Sequence, residues 1–230
     1  MSARQAHKQS LIMREKGEFL ESLKLSVSAL LEYQQEDDQL GFTEAIADQT
    51  ITLRLLSQET NFKEYLILAK HLLEASIEIA NLSNNSEALP IPLFNLGKVN
   101  VELQDYPEAI RAYKMAIEQQ STNPSPHHNR PSILADFRIH LAVAEYKNGD
   151  KKAKNRLLEA LNELQNLDEE DYNKKVWTSG ANMYLADMLR TDSKDEAKVY
   201  LNAAKEIIDS DERLILRKEQ WQKLAKLFSS

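Results

Sequence analysis

The side chains best suited to chemistry are few in this chain, and their spacing restricts what they could do. There are five histidines and no cysteine. Disulfides, thiolate metal sites and a cysteine nucleophile are therefore excluded. His127 and His128 could ligate a metal, but they stand adjacent in a proline-rich segment with no carboxylate at a metal-site spacing, and they read as an exposed loop. His71 and His140 fall inside helical patterns and read as hydrogen-bonded or half-buried side chains. The run Asp168-Glu169-Glu170-Asp171 has neither the alternating ligands nor the turn glycine of a calcium loop. It reads as a solvated cap, because acidic groups before a helix are favoured by its dipole. No Gly-x-Ser-x-Gly elbow and no glycine-rich phosphate loop occurs. The expectation is a protein without catalytic residues, metal or cofactor, and no enzyme.

The elements that would carry these residues are helical. Only 5 glycines and 6 prolines interrupt 230 residues, and a hydrophobic fraction of 42% can sustain a core. The apolar periodicity gives helices near 2–15, 18–36, 42–57, 62–82, 91–104, 106–120, 132–148, 150–166, 170–190, 194–209 and 211–228. No alternating apolar run between turn residues suggests a strand. Asp105-x-x-Glu108, Asn61-x-x-Glu64 and Ser193-x-x-Glu196 read as capping boxes. Two segments read as linkers: Ser83-Asn84-Asn85-Ser86 followed by Pro90 and Pro92, and the helix-free stretch 123–131. The net charge of −7 argues against a nucleic-acid binder. No apolar run reaches the length of about 18 residues that a membrane span needs. Met1 to Arg14 is too polar for a secretory leader. A cytoplasmic chain binding neither nucleic acid nor membrane is expected.

Residues Leu93 to Gln120 carry the densest pattern. Gly97 interrupts a helix at a cost of about 1 kcal/mol relative to alanine, which close approach of a neighbouring helix backbone would explain. A second helix then opens at Asp105, with Pro107 in its first turn and Ala109, Tyr113 and Ala116 along one face. Small residues at both ends of that face allow tight packing, with Tyr113 filling the space between. The theme returns at Leu141, Ala142, Tyr146, Gly149, Ala153, Leu157 and Ala160, and again at Leu185, Ala186, Leu189, Ala197, Leu201 and Ala204. The alanines at 109, 153 and 197 are each 44 residues apart. Weaker copies lie at Ala69, Leu73 and Ser76 and at Gly17, Ser22, Ser26 and Ala29.

This pattern resembles the tetratricopeptide repeat family, clearly over 89–208 and faintly over 1–84. Leu93 and Asn100 stand where the family's aromatics usually do, and Ser121 where its proline does. The resemblance implies an all-α, right-handed superhelical solenoid of about five hairpins plus a C-terminal capping helix, counted as a single domain over 1–230. Residues 211–228 supply that cap, with Leu214, Trp221, Leu224 and Phe228 on one face and Arg213, Arg217, Lys218, Lys223 and Lys226 around it. In such repeats the first helix of each pair lines the concave side. By register this implies a peptide-binding set of Phe94, Asn95, Lys98, His140, Val143 and Tyr184. A clamp for a terminal carboxylate is disfavoured, because Asp136 and His140 stand where its two basic residues would. The implied function is a non-catalytic scaffold holding a protein or peptide partner, with a homo-oligomer left open. The alternative is a sensor module of the kind found in bacterial peptide-binding regulators.

Overall fold

Every regular element is helical among residues 1–228, the part of the chain that the computed structural model describes. The order is α1 (Ala3–Glu15), α2 (Phe19–Gln35), α3 (Gln39–Thr60), α4 (Glu64–Leu82), α5 (Pro90–Glu102), α6 (Tyr106–Thr122), α7 (Pro131–Lys147), α8 (Ala153–Asn166), α9 (Asp171–Leu189), α10 (Lys194–Asp209) and α11 (Ile215–Lys226). A short 3-10 turn, Ser86–Ala88, sits between α4 and α5 and packs on both. That segment is thus part of the packed structure rather than a free linker. The chain divides into two compact units, Met1–Asn129 and Arg130–Ser230. In the first, α1 pairs with α2, α3 with α4 and α5 with α6; in the second, α7 pairs with α8 and α9 with α10, and α11 packs on α9 and α10.

Burial separates the two helices of a pair. In the later pairs the first helices, α5, α7 and α9, are buried on most sides, whereas the second helices α6, α8 and α10 bury a single face. A helix apolar nearly all round belongs inside, and an amphipathic one belongs at the surface. The three alanines at the 44-residue spacing, Ala109, Ala153 and Ala197, are each 0% exposed.

One turn design recurs. The second residue after the helix takes a left-handed conformation at Gly17, Asp37, Gln104 and Gly149, with φ of 77°, 55°, 65° and 104°. The next residue's N–H then bonds a carbonyl in the last helical turn: Glu18 to Met13 at 2.9 Å, Asp38 to Tyr33 at 3.0 Å, Asp105 to Asn100 at 2.8 Å and Asp150 to Glu145 at 3.0 Å. This satisfies carbonyls that the helix end leaves open. At two of these turns the same residue caps the following helix. Asp38 accepts from the Gly41 N–H at 2.8 Å and Asp105 from the Glu108 N–H at 3.4 Å. Gln104 carries a Cβ at a φ that costs an L-residue about 1–2 kcal/mol. We expect Gln104→Gly to stabilise the protein by roughly 0.5–1 kcal/mol, the gain being trimmed by glycine's greater unfolded-state entropy. Urea denaturation measures this, and an unchanged midpoint would count against strain at that turn.

Two expected capping boxes do not form. Asn61 ends α3 in a left-handed conformation, φ 60°, and Lys63 precedes α4 without a side-chain cap. Ser193 does precede α10, but its side chain makes no capping bond. Glu196 instead accepts from the Lys154 ammonium of α8 at 2.6 Å.

The glycine in α5 is explained by a side chain rather than by a backbone. A Cβ on Gly97 would meet the Tyr113 ring, with Cε1 at 2.4 Å and Cδ1 at 2.5 Å. The same lock occurs in the N-terminal part with the sequence order reversed: a Cβ on Gly41 of α3 would lie 2.3 Å from Cε1 of Tyr33 in α2. Tyr113 and Tyr33 are both buried.

At the C-terminus, Leu214, Trp221 and Leu224 pack against Met183, Ala204 and Ile208. The Trp221 indole N–H donates to the Leu201 carbonyl at 2.9 Å. Arg217 is drawn into this packing: its Nε donates to the Val176 carbonyl at 3.1 Å, and its guanidinium covers Gly180. The basic face of α11 is therefore carried by Lys218, Lys223 and Lys226, which are exposed.

Candidate functional site

In the first unit, α5 holds three of the expected residues. Pro90 and Pro92 start this helix, where a missing N–H costs nothing. Phe94 is 5% exposed and lies 5.7 Å from the Tyr113 ring, tilted by 54°. The Lys98 ammonium sits 4.0 Å from the Phe94 ring centroid, a cation–π contact. Asn95 is 3% exposed. Its amide nitrogen donates to the Ile91 carbonyl at 3.1 Å, while its oxygen Oδ1 is buried without a hydrogen-bond partner among the described residues. Buried amide oxygens are nearly always paired, so this one requires an explanation. Asn100 Oδ1, five residues further along α5 and on a different face, is in the same state.

In the second unit, His140 and Tyr184 come together from α7 and α9. Their rings are 5.2 Å apart and edge to face, and His140 Nε2 is 3.7 Å from Asp136 Oδ1. Val143 occupies a different environment. It is 2% exposed and packs in the apolar core with Ile139, Leu157 and Leu185. The side chains with polar atoms at this place are His140, Asp136 and the half-buried Tyr184.

The histidine pair of the proline-rich loop is split. His127 is exposed, but His128 is half-buried, with Nε2 3.1 Å from Glu44 Oε1 of α3 and its carbonyl accepting from the Gln120 amide at 2.5 Å. The acidic run also departs from the solvated-cap reading at one position. Asp168, Glu170 and Asp171 are exposed, whereas the Glu169 side chain is 1% exposed. It accepts from Arg130 Nη1 at 2.5 Å, from the Ser132 hydroxyl and from Asn173 Nδ2 at 3.1 Å. Burial alone would raise its carboxyl, but the Ser132 and Asn173 hydrogen bonds and the Arg130 charge hold it below the ordinary glutamate range. Glu169 thereby ties the start of α7 to the turn before α9.

A polar network in the first unit has no signature in the sequence. Asp48 of α3 receives His7 Nε2 at 2.7 Å and Arg14 Nη1 at 3.2 Å, both from α1, and His7 Nδ1 lies 3.3 Å from the Tyr33 hydroxyl. Burial would raise the Asp48 carboxyl; the His7 hydrogen bond and the Arg14 charge outweigh it and leave the group below its usual value. Its members stand 34 and 41 residues apart in the chain, beyond any local motif. Among the described residues no group of three or more histidine, cysteine or acidic side chains is arranged to hold a metal ion. No described helix is long and apolar enough to cross a membrane.

These helix pairs place the chain among TPR-like repeat folds. Two crystal structures of a Podosopora anserina protein assigned as a kinesin light chain, with nearly identical TPR-like repeats, are similar to it at 15% identity. One superposes with a TM-score of 0.56 over 90% of this chain and 96% of that one. The other, a point variant, gives 0.57 over 91% and 96%. BtubC (BKLC) from P. vanneervenii is similar at 18% identity and a TM-score of 0.61, covering 90% of this chain and 80% of its own. No family model and no curated protein sequence matches the chain. The fold likeness is therefore structural, at identities where sequence similarity has faded.

Proposed function

We propose that this protein is a non-catalytic interaction scaffold whose first helices bind an extended peptide segment of a protein partner. The observation that carries the reading is the TPR-like pairing of helices, with the half-buried polar side chains of Lys98 on α5 and Tyr184 on α9 carried by first helices. An extended peptide presents polar groups at regular intervals, which an ammonium and a phenol hydroxyl can recognise. On α5 the Lys98 ammonium, resting on the buried Phe94 ring, supplies positive charge beside Asn95. In the second unit His140 and Tyr184 supply the corresponding polar and aromatic contacts, with Val143 in the core behind them. The TPR-like fold supports a role in protein interaction. Binding on helices that are already packed demands little ordering of the scaffold.

The test is to pan a displayed peptide library on the full chain and titrate the selected peptides calorimetrically. Asn95→Ala and Tyr184→Ala should each weaken binding at least about tenfold, a loss of about 1.4 kcal/mol. Asn95→Ala should leave stability within about 1 kcal/mol, because it removes an unsatisfied acceptor along with one redundant bond to a helix carbonyl. If both variants bind as wild type while Lys218→Glu with Lys223→Glu abolishes binding, the partner sits on α11 and the first-helix reading is rejected.

A further inference from the structure

Helix α4 carries an apolar stripe that its own fold does not cover. Leu68, Leu72, Ala75, Ile79 and Leu82 alternate at four and three residues, the spacing of a heptad seam. The buried face of the helix is a different one, made by Leu66, Ala69, Leu73, Ser76 and Ala80. Leu68 is 49% exposed, Ile79 38% and Leu82 77%, and Ala75 is exposed as well; only Leu72 is partly packed. The stripe spans about 21 Å at 1.5 Å per residue. Contiguous exposed apolar surface on a soluble protein marks an interaction site more often than chance. The second helices of the other unit provide the contrast. On α8 the exposed residues include Asn155, Glu159 and Asn162, and on α10 Lys198, Asn202 and Lys205, where Val199 is a single exposed valine rather than part of a stripe.

The edge of the stripe tells what would cover it. Its solvent-side flank holds Glu64, His71 and Glu78 at one repeating heptad position, with Glu74 beside them. Glu64 and Glu78 are exposed and make no ion pair among the described residues; Glu74 is 3.0 Å from His71. In a helix–helix seam that position faces the flank of the partner, where a basic side chain is complementary. A second copy docked antiparallel about Ala75 would instead bring Glu74 and Glu78 of both copies to the same side of the seam. Like charges so placed are destabilising. Two heptads are too few for a free-standing coiled coil, but α4 is already held by α3 and α5. Only the incoming helix would need ordering.

We infer that the α4 stripe docks one amphipathic helix of a protein partner, with apolar residues at four-three spacing and lysine or arginine on its flank. This surface lies on a second helix and is independent of the first-helix peptide site. The test uses two synthetic helical peptides with identical leucine seams, one flanked by lysine and one by glutamate, titrated by fluorescence anisotropy into the full chain. The lysine peptide should bind, at least about tenfold more tightly than the glutamate peptide, and more weakly as salt rises. Leu68→Ser with Leu82→Ser should lose at least tenfold in affinity at an unchanged thermal midpoint. Glu64→Lys with Glu78→Lys should reverse the peptide preference. Equal binding of both peptides, no binding of either, or indifference to the serine changes would overturn the proposal. So would a dimer seen by light scattering that the serine changes dissociate, since the occupant would then be a second copy.

Discussion

Gly97→Leu is expected to destabilise the protein by at least about 1–3 kcal/mol, the usual cost of forcing methylenes into a packed core. The geometry places it at the upper end. The first added carbon would already lie 2.4 Å from Tyr113 Cε1, well inside contact distance, and Tyr113 is 1% exposed with the Phe94 ring beside it. For a chain of this size each kcal/mol lowers the melting temperature by roughly 2–4 °C. The double variant identifies the cause. If the tyrosine ring is the obstacle, Gly97→Leu should cost much less in a Tyr113→Ala background, and the non-additivity should exceed about 0.5 kcal/mol. Additive effects would mean that Gly97 answers to something other than the ring. Gly41→Leu, facing Tyr33 in the same way, should repeat the result.

Those two locks show which parts of the fold were legible in the sequence. The helices were, because their apolar period is local: each expected span lies within four residues of an observed one. In the hairpin of α5 and α6 the cap and the buried face were legible, since Asp105, Ala109, Tyr113 and Ala116 are spaced by the helix itself, but the contact that Gly97 makes was not. The Gly41–Tyr33 lock has no such signature, because it runs from α2 to α3 with the tyrosine before the glycine. Capping by spacing failed where a partner elsewhere took the acidic group, as Lys154 does with Glu196. Register could place Phe94, Asn95, Lys98, His140, Val143 and Tyr184 on first helices, but not tell which of them the core would claim. Val143 and Phe94 went to the core, as residues on an inner helix do when neighbours crowd every side. The Asp48 network was illegible in principle, because only tertiary packing brings α1 against α3.

That network gives the second large expected effect. Asp48→Asn keeps the shape of the side chain but leaves Arg14 without its carboxylate and weakens the bond to His7. Removing one partner of a largely buried charge-assisted pair costs about 1–3 kcal/mol. The lower part of that range is favoured because the Asp48 side chain is 25% exposed. The loss should be local at first. His7 and Arg14 both lie on α1, so amide hydrogen exchange over 3–15 should quicken before that of α5 or α6. The pH dependence has a fixed sign. The folded Asp48 carboxyl titrates below its ordinary value of 3.8, so its contribution is complete above that value and vanishes as pH falls through the folded pKa. Wild type should therefore exceed Asp48→Asn in stability at pH 7, and the gap should close under acid because wild type falls toward the variant. Denaturation curves from pH 7 down to about pH 3 would show this. A gap of constant size across that range would mean that the carboxylate charge does not hold α1 in place, and that the hydrogen-bonding shape of the side chain does so alone.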